Sequence, residues 1–359
     1  MVNLKKCSGN HWLGLVIILV LVLQLSACGG GQKASPPQGD KKAGPESAKP
    51  QSPESGQTLI NFGTAGSGGT FYYVGAGVSN VMSKYVEGVK VTPQGSAGGV
   101  ENLRRMATKK LDIGLITPSD LVKVLGDKTV KADQIMIMGA GHESVSQLVA
   151  RPDSPHKTSR EAFQKGVKFG IGEPGSALQG SSDDYLWAHG LKRDDVKVFQ
   201  ISQAEMADGL KDKIIEVAAM GSGIPLPGVT DLAQALGGVT ILELPDDVMK
   251  KLIEKKPYMF PFTIPPGTYK NLDRPVRTVG YYSLVICRAD LPEDMVYKLV
   301  KAMYEHSDEI AKVHPAGASY KAQNAMAGAD YSVLKMGVKY HPGSIKYLKE
   351  KSVWDVKYQ

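Results

Sequence analysis

The stretch 59–86, LINFGTAGSGGTFYYVGAGVSNVMSKYV, places a short apolar strand pattern, a glycine-rich turn and a helical pattern in direct succession. The same succession follows at residues 89–109, where VKVTP leads into a second glycine-rich turn and a second helical pattern. Repeated units of strand, turn and helix are typical of α/β proteins with largely parallel sheets. The sequence therefore predicts an α/β fold.

Similar patterns continue along the chain, and two of the predicted helices carry acidic residues in their first turns, where the helix dipole favours negative charge. The predicted strands cover residues 59–63, 89–93, 113–117, 135–139, 167–172, 196–201, 217–220 and 239–244. The predicted helices cover residues 71–86, 100–109, 177–188, 204–211, 246–255 and 292–313.

Two longer apolar runs, 144–150 (SVSQLVA) and 279–288 (VGYYSLVICR), are flanked by turn-forming residues and divide the chain into thirds. We interpret them as strands that cross between two lobes. Lobe 1 is then predicted to comprise residues 58–148 and 276–359, and lobe 2 residues 149–275. A discontinuous lobe is expected when one domain is inserted into another.

The first 28 residues have the pattern of an export signal. Lys5 and Lys6 precede an apolar run at 12–23 that is shorter than the roughly 18 residues of a membrane-spanning helix, although an uncleaved anchor helix is the alternative. Residues 25–28, LSAC, resemble the bacterial lipobox, which predicts lipidation of Cys28. The chain is then expected on the periplasmic or cell-surface side of a membrane, held there by its lipid anchor.

Residues 29–57 contain no aromatic or branched aliphatic side chain, so this segment is predicted to be a disordered tether. The formal net charge of the chain is +7, but its basic residues are scattered, which excludes a nucleic-acid-binding surface. Cys7 leaves with the leader and Cys28 is acylated, so Cys287 alone remains. Its apolar neighbours predict a buried strand residue and not a nucleophile.

Small-residue loops follow several predicted strands, and in the first of them Ser67, Thr70 and the backbone amides suit an anionic group. Each loop alone is also consistent with an ordinary turn. Together, at the carboxyl ends of strands in two lobes, they favour a ligand cleft with Phe71, Tyr72 and Tyr73 near one wall. The loops cover residues 63–70, 94–102, 117–120, 172–177 and 221–225.

Patterns for catalysis and cofactor binding are absent from the sequence. Loop 63–70 lacks the Lys-Ser/Thr ending of a Walker A motif, and Phe71 occupies the last glycine position of the dinucleotide fingerprint. The seven histidines have no metal-ligand spacing, and no serine has the glycines of a nucleophile elbow. Ser-x-x-Lys occurs at 154–157 and 332–335 without the motifs that accompany it in penicillin-recognising enzymes. We therefore expect no catalytic centre, no metal and no cofactor.

Separated blocks of this sequence resemble the TAXI family of TRAP transporter solute-binding proteins, across nearly all of residues 59–351. Their order along the chain also matches that family. The blocks are GGTFY at 68–72 with Gly75, GGVENL at 98–103, DIGLITPSD at 112–120, IPPGTY at 264–269, RADLP at 288–292 and HPGS at 341–344.

The resemblance implies a type II periplasmic-binding-protein fold, in which two lobes close on a ligand in the cleft between them. It implies a monomer that binds a small carboxylated solute, such as glutamate, glutamine or a 2-oxoacid, and delivers it to TRAP membrane permease subunits. The residues that the resemblance places in the cleft are Ser67, Gly68, Thr70, Tyr72, Gly98, Pro118, Ser119, Gly175 and Ser176.

The sequence departs from the family pattern at two places in the expected cleft. Pro118 replaces a glutamine, and Ala177 and Leu178 replace a glycine and a threonine after Ser176. Both changes remove polar groups, which predicts a ligand that is less polar than glutamate or different from it. Glu101 and Asp120 either line the cleft or only cap helices. The alternatives to transport are a ligand-binding sensor, a surface antigen, or an enzyme on the same two-lobed scaffold.

Overall fold

The computed structural model describes residues 56–174 and 176–358. The predicted signal peptide, Cys28, Gly175 and all but the end of the predicted tether lie outside the described residues. No helix in the described part of the chain is both long and apolar enough to cross a membrane.

Strands and helices alternate along the chain, as predicted. The strands are β1 (Thr58–Gly63), β2 (Val89–Gln94), β3 (Ile113–Ile116), β4 (Ile135–Ala150), β5 (Lys168–Ile171), β6 (Lys197–Gln200), β7 (Val217–Ser222), β8 (Thr240–Ile241), β9 (Phe260–Ile264) and β10 (Val276–Arg288). The helices are α1 (Thr70–Tyr85), α2 (Gly99–Ala107), α3 (Pro118–Gly126), α4 (Ser159–Ala162), α5 (Ala177–Ala188), α6 (Gln203–Lys211), α7 (Pro227–Leu236), α8 (Asp246–Lys255), α9 (Glu293–Glu305), α10 (Ser307–Val313) and α11 (Pro342–Glu350).

The structure differs from the sequence prediction in four respects. The predicted strands 135–139 and 144–150 form one strand, β4, because pairing with β10 continues through Ala140 and Glu143. The predicted helix 292–313 is broken into α9 and α10 at His306, whose backbone is not helical (φ −122°, ψ 35°). Helices α3, α7 and α11 were not predicted; each begins at a proline, whose fixed φ suits the first helical position. Strand β9 and the short helix α4 were also not predicted.

The strands form one sheet in the order β2-β1-β3-β10-β4-β7-β5-β6. Strands β2, β1 and β3 are parallel to one another, and so are β6, β5 and β7. The long strands β10 and β4 lie between these two groups and are antiparallel to their neighbours. The first part of β4 pairs with the end of β10, and its last part pairs with β7. Both long strands therefore run from one parallel group to the other.

Separate hydrophobic cores lie on the two sides of these long strands. One core is built from buried residues within 60–140 and 284–358, including Phe62, Leu103 and Ile113. Two further clusters draw their buried residues from 145–279, including Phe169 and Met206. Because each parallel group buries its own apolar side chains, each can keep its shape independently of the other.

A side chain of β10 forms hydrogen bonds with β4 where the register of the two strands shifts, between Tyr282 and Leu284. The Ser283 hydroxyl accepts a hydrogen bond from the His142 amide and donates one to the His142 carbonyl, both at 2.9 Å. Cys287 lies nearby on β10 and is fully buried, as predicted, and burial raises the pKa of its thiol.

Candidate ligand-binding site

A cavity of about 100 Å³ lies where the carboxyl ends of the parallel strands meet, and it is called the inner cavity below. Residues after β1, β2 and β3 line it from one side, and residues at the ends of β5, β6 and β7 line it from the other. The long strands supply its floor. Its lining comprises Ala65, Gly69, Phe71, Ala97, Gly98, Gly99, Thr117, Asp120, Ser144, Ser176, Leu178, Gln203, Gly221, Ser222 and Tyr281.

A second space of about 200 Å³, the outer cavity, adjoins the inner one. The residues that line both are Ala65, Gly69, Ala97, Ser176, Leu178 and Gln203. Ser67 and Ser176, from opposite parallel groups, both line the outer cavity. Ligands of open α/β sheets bind in such crevices beyond the carboxyl ends of the strands. The two cavities together are therefore the candidate ligand site.

The N-termini of three helices lie at the inner cavity, because each of these helices follows a parallel strand. Gly69 precedes α1, Gly98 precedes α2 and Ser176 precedes α5, and all three residues line the cavity. The Ser176 hydroxyl accepts a hydrogen bond from the Gln179 amide at 3.2 Å. The amides and dipoles of helix N-termini attract negatively charged groups.

The most unusual polar group in the inner cavity is the carboxyl of Asp120, which is 1% exposed. Its Oδ2 caps helix α3 by accepting hydrogen bonds from the Thr117 amide at 2.6 Å and the Thr117 hydroxyl at 2.8 Å. Its Oδ1 receives no hydrogen bond from the described residues. Room for this carboxyl exists because Gly99 lacks a side chain, since a Cβ there would collide with Oδ2.

Burial raises the pKa of Asp120 from 3.8 to about 6, against the opposing effects of the hydrogen bonds from Thr117 and of the nearby Val100 backbone. The hydroxyl of Ser144, on β4, is in a similar position, being fully buried beside the cavity without a partner among the described atoms. Buried polar groups normally have hydrogen-bond partners. Two such groups at one cavity leave hydrogen-bonding positions that a ligand can use.

The raised pKa of Asp120 makes the stability of the unliganded protein depend on pH. Native Asp120 keeps its proton to a higher pH than the unfolded chain does, so the native state loses stability as pH rises between about 4 and 6. We expect the free energy of unfolding of the wild type to fall relative to that of Asp120→Asn by roughly 3 kcal/mol across this range. Urea unfolding at several pH values checks this, and parallel pH profiles for the two proteins would contradict it.

The surroundings of the cavities are acidic. Glu173 lines the outer cavity, and its pKa is raised by burial and by the negative charges of Glu205 and Glu101. Glu101 accepts a hydrogen bond from the Ala97 amide and lies 3.5 Å from Arg105, so it fixes the start of α2 and does not line either cavity. Within the described residues that line the two cavities, none is Lys, Arg or His.

Direct contacts join the two sides of the cleft next to the cavity. The Thr70 hydroxyl at the start of α1 donates a hydrogen bond of 2.8 Å to the carbonyl of Gly223, which follows β7. His314 Nε2 donates to the carbonyl of Pro225 at 3.0 Å, while His314 Nδ1 accepts from the Ala316 amide. The segment after β7 is thus held against α1 and the chain around His314.

Four residues that the sequence assigned to the cleft line these cavities. Ser67 and Gly68 line the outer cavity, Gly98 lines the inner one, and Ser176 lines both. Thr70 lies beside them, but its hydroxyl donates a hydrogen bond to the Gly223 carbonyl and does not line either cavity.

The other assigned residues lie elsewhere or outside the described chain. Tyr72 is 42% exposed, and Phe71 beside it faces the inner cavity instead, because successive helical side chains point about 100° apart. Pro118 and Ser119 begin α3 without lining either cavity, while Thr117 and Asp120 on either side of them do. Gly175 lies outside the described residues.

Several lining residues carry no pattern in the sequence that marks them as functional. Ser144 and Tyr281 belong to the long strands, and they reach the cavity because β4 and β10 pair at that point. Gln203 begins α6, and its side-chain carbonyl accepts a hydrogen bond from the Gly221 amide at 3.0 Å. Ser222 ends β7.

A larger cavity of about 540 Å³ lies at the opposite ends of the β5 and β7 strands, near Val167, Glu216 and Lys213. It opens at the amino ends of those strands, where α/β proteins do not usually place ligands. It lacks residues from the other parallel group, so we do not assign it as the ligand site.

A sequence profile described as the NMT1-like family matches residues 62–352, which includes every residue around the two cavities. The chain belongs to the NMT1-like family.

Several solved structures are similar to this NMT1-like protein at low sequence identity. The periplasmic binding protein BugD is 16% identical, with a TM-score of 0.52, covering 82% of this chain and 98% of its own. The ligand-binding component of an ABC-type import system from Staphylococcus aureus is 14% identical, with a TM-score of 0.50, covering 83% and 93%. The aliphatic sulphonate binding protein SsuA from Escherichia coli is 16% identical, with a TM-score of 0.43, covering 75% and 83%.

The matches to BugD and the Staphylococcus aureus protein confirm the predicted α/β fold of periplasmic binding proteins, with two lobes. The Staphylococcus aureus structure holds zinc. In the part of the NMT1-like chain that the structure describes, no three His, Cys, Asp or Glu residues are grouped so that they could hold a metal ion.

Proposed function

We propose that this protein is the extracytoplasmic solute-binding subunit of a TRAP-type secondary transporter. It captures a small carboxylate or amino acid, of the class of glutamate, glutamine and 2-oxoacids, and delivers it to the membrane permease subunits. The observation that carries this proposal is the inner cavity, where Asp120 Oδ1 and Ser144 Oγ lack partners among the described residues. Family membership and the two-lobed fold support it.

The lobes in this proposal are residues 58–148 with 276–359, and residues 149–275. The separate hydrophobic cores support this division, because their buried residues change from one set to the other along β4 and β10. A hinge in these two strands would let the lobes open and release the solute. The ligand contacts proposed from the sequence, at Ser67, Gly68, Gly98 and Ser176, are supported by their place around the cavities.

We propose that lipidated Cys28 holds the protein at the membrane and that residues 29–57 serve as the tether. A flexible segment of 29 residues has a typical reach of roughly 30 Å. That reach keeps the two lobes close to a permease in the same membrane. The protein acts as a monomer in this proposal, because one copy contains both sides of the cleft.

Binding without catalysis fits the groups at the cavity. Catalysis commonly uses a nucleophile with an adjacent base, or a pair of acid and base groups. The Asp120 carboxylate accepts hydrogen bonds from Thr117. Among the described residues that line the cavities, no histidine or lysine lies next to a hydroxyl. A sensor or surface antigen lipoprotein with the same cleft is the alternative, and transport of the bound solute into vesicles that contain the permease would distinguish it.

Solute binding is expected to raise the melting temperature of the full-length protein, because a ligand that binds the native state stabilises it by mass action. A saturating ligand at 100 times its dissociation constant adds about 2.7 kcal/mol. A thermal-shift panel of amino acids, 2-oxoacids, dicarboxylates and sulphonates measures this effect. If no compound shifts the melting temperature of the folded protein, the proposed function is wrong.

A further inference from the structure

The described residues that line the inner cavity include one acidic residue, Asp120. Asp120 is almost completely buried, and the oxygen that faces no partner among the described residues is Oδ1. No lysine, arginine or histidine is found among the described residues that line the inner or outer cavity. A ligand with only negative charge would place its carboxylate beside an acid without a compensating base, which is unfavourable in a dry site.

Three helix N-termini lie at the inner cavity, and helix N-termini favour negative charge. Helices α1, α2 and α5 start at Thr70, Gly99 and Ala177, and the residues before them line the inner cavity. Three converging N-termini can hold one carboxylate without a basic side chain. The cavity therefore has a place for a carboxylate near these helices and a place for a cationic donor at Asp120.

We propose that the site selects zwitterionic amino acids over the corresponding 2-oxoacids, with the α-ammonium group donating hydrogen bonds to Asp120 Oδ1 and Ser144 Oγ. The α-carboxylate faces the N-termini of α1, α2 and α5. This inference rests on the proposed solute-binding function and narrows its ligand class. It also gives partners to the two buried oxygens that have none among the described atoms.

The outer cavity favours amino acids with uncharged side chains. Glu173 lines this cavity, and Glu101 and Glu205 lie close enough that their negative charges raise the Glu173 pKa. Leu178 and Phe71 add apolar surface to the inner cavity. A second carboxylate, as in glutamate, would be repelled on this side, while an aliphatic or amide side chain would not.

The test is calorimetric titration of the full-length protein with ligand pairs that differ in one group. Leucine is compared with 4-methyl-2-oxopentanoate, alanine with pyruvate, and glutamine with glutamate. For at least one of the first two pairs, the amino acid is expected to bind roughly 10- to 100-fold more tightly than its 2-oxoacid, because the oxo group cannot donate to Asp120. Glutamine is expected to bind more tightly than glutamate.

Variants test whether the preference for amino acids depends on Asp120 and Ser144. Asp120→Asn and Ser144→Ala are each expected to weaken amino-acid binding and to narrow the preference over the 2-oxoacid. Asp127→Asn is the matched control, because Asp127 ends the same helix α3 on the surface, where it pairs with Arg104 at 2.8 Å. This control is expected to bind like the wild type. Circular dichroism and the melting temperature establish that each variant is folded.

The outcomes separate the inference from the proposed function. If the 2-oxoacids bind the wild type as tightly as the amino acids or more tightly, the inference is overturned while the solute-binding function stands. A folded Asp120→Asn variant that keeps the full preference also overturns it. If no compound of any class binds the folded wild type, both proposals fail together.

Discussion

Replacing Gly223 with valine is expected to raise the dissociation constant for the solute about 100-fold while both lobes stay folded. Gly223 follows β7, and its carbonyl accepts the hydrogen bond from Thr70 across the cleft. A Cβ at this position would lie 2.8 Å from Ala316 Cβ, 2.8 Å from His142 Cδ2 and 2.9 Å from Thr70 Cγ2. The added side chain would therefore push the segment after β7 away from α1 and widen the cavity.

The experiment combines titration of the tightest amino acid from the panel with small-angle X-ray scattering of the saturated protein. The variant is expected to bind weakly and to have a larger radius of gyration than the wild type. Gly180→Val is the control, because Gly180 is exposed on α5 and no described atom lies within 4 Å of its Cβ position. Wild-type affinity in Gly223→Val would mean that the contact between Thr70 and Gly223 does not govern closure.

Replacing Asn102 with leucine is expected to lower the free energy of unfolding by about 2–4 kcal/mol. Asn102 on α2 is fully buried, and its side-chain amide donates to the carbonyls of Thr64 and Leu115, both at 2.9 Å. These carbonyls lie at the ends of β1 and β3, beside the cavity. Leucine has a similar size but leaves two buried carbonyls without these donors.

Urea unfolding of the variant and the wild type measures this loss. Asn80→Leu is the matched control, since Asn80 is exposed on α1 and its replacement is expected to change stability by less than about 0.5 kcal/mol. We also expect Asn102→Leu to weaken solute binding, because Thr64 and its neighbours carry the first glycine loop. Equal stability of the two variants would contradict the role of Asn102 in holding the strand ends together.

The buried carboxyl of Asp120 connects the stability of the protein with ligand binding. A buried carboxyl that destabilises the native state above about pH 6 is typical of a functional site. An ammonium group at Asp120 would favour the charged carboxylate and lower its pKa again. Ligand binding is then expected to remove the pH dependence that the unliganded protein has.

Much of the fold could be predicted because its determinants are local. The apolar run 59–63, the glycines at 63–69 and the helical pattern that follows specify strand, turn and helix within a span of about 30 residues. The glycine loops also indicated the edge of the sheet where the two cavities lie, since parallel strands place their carboxyl ends together. Ser67, Gly68, Gly98 and Ser176, which the family resemblance assigned to the cleft, line the two cavities at this edge.

Helices that start at prolines escaped prediction for a local reason as well. Proline signals a break within a helix and also suits its first position, so Pro227 and Pro342 are ambiguous in the sequence. The break at His306 was missed for a different reason, which is that the helical pattern of apolar residues continues across it. Both α9 and α10 bury apolar side chains, Val296 and Ile310 among them.

The sequence by itself determined the order of strands and helices, the glycine loops and the absence of a catalytic motif, because each depends on residues close together in the chain. Only the tertiary structure decided which residues surround the cavity. Ser144, Gln203 and Tyr281 meet there because β4, β7 and β10 pair across separations of many tens of residues. The raised pKa of Asp120 also depends on the tertiary structure, since the protein around it removes water from its carboxyl group.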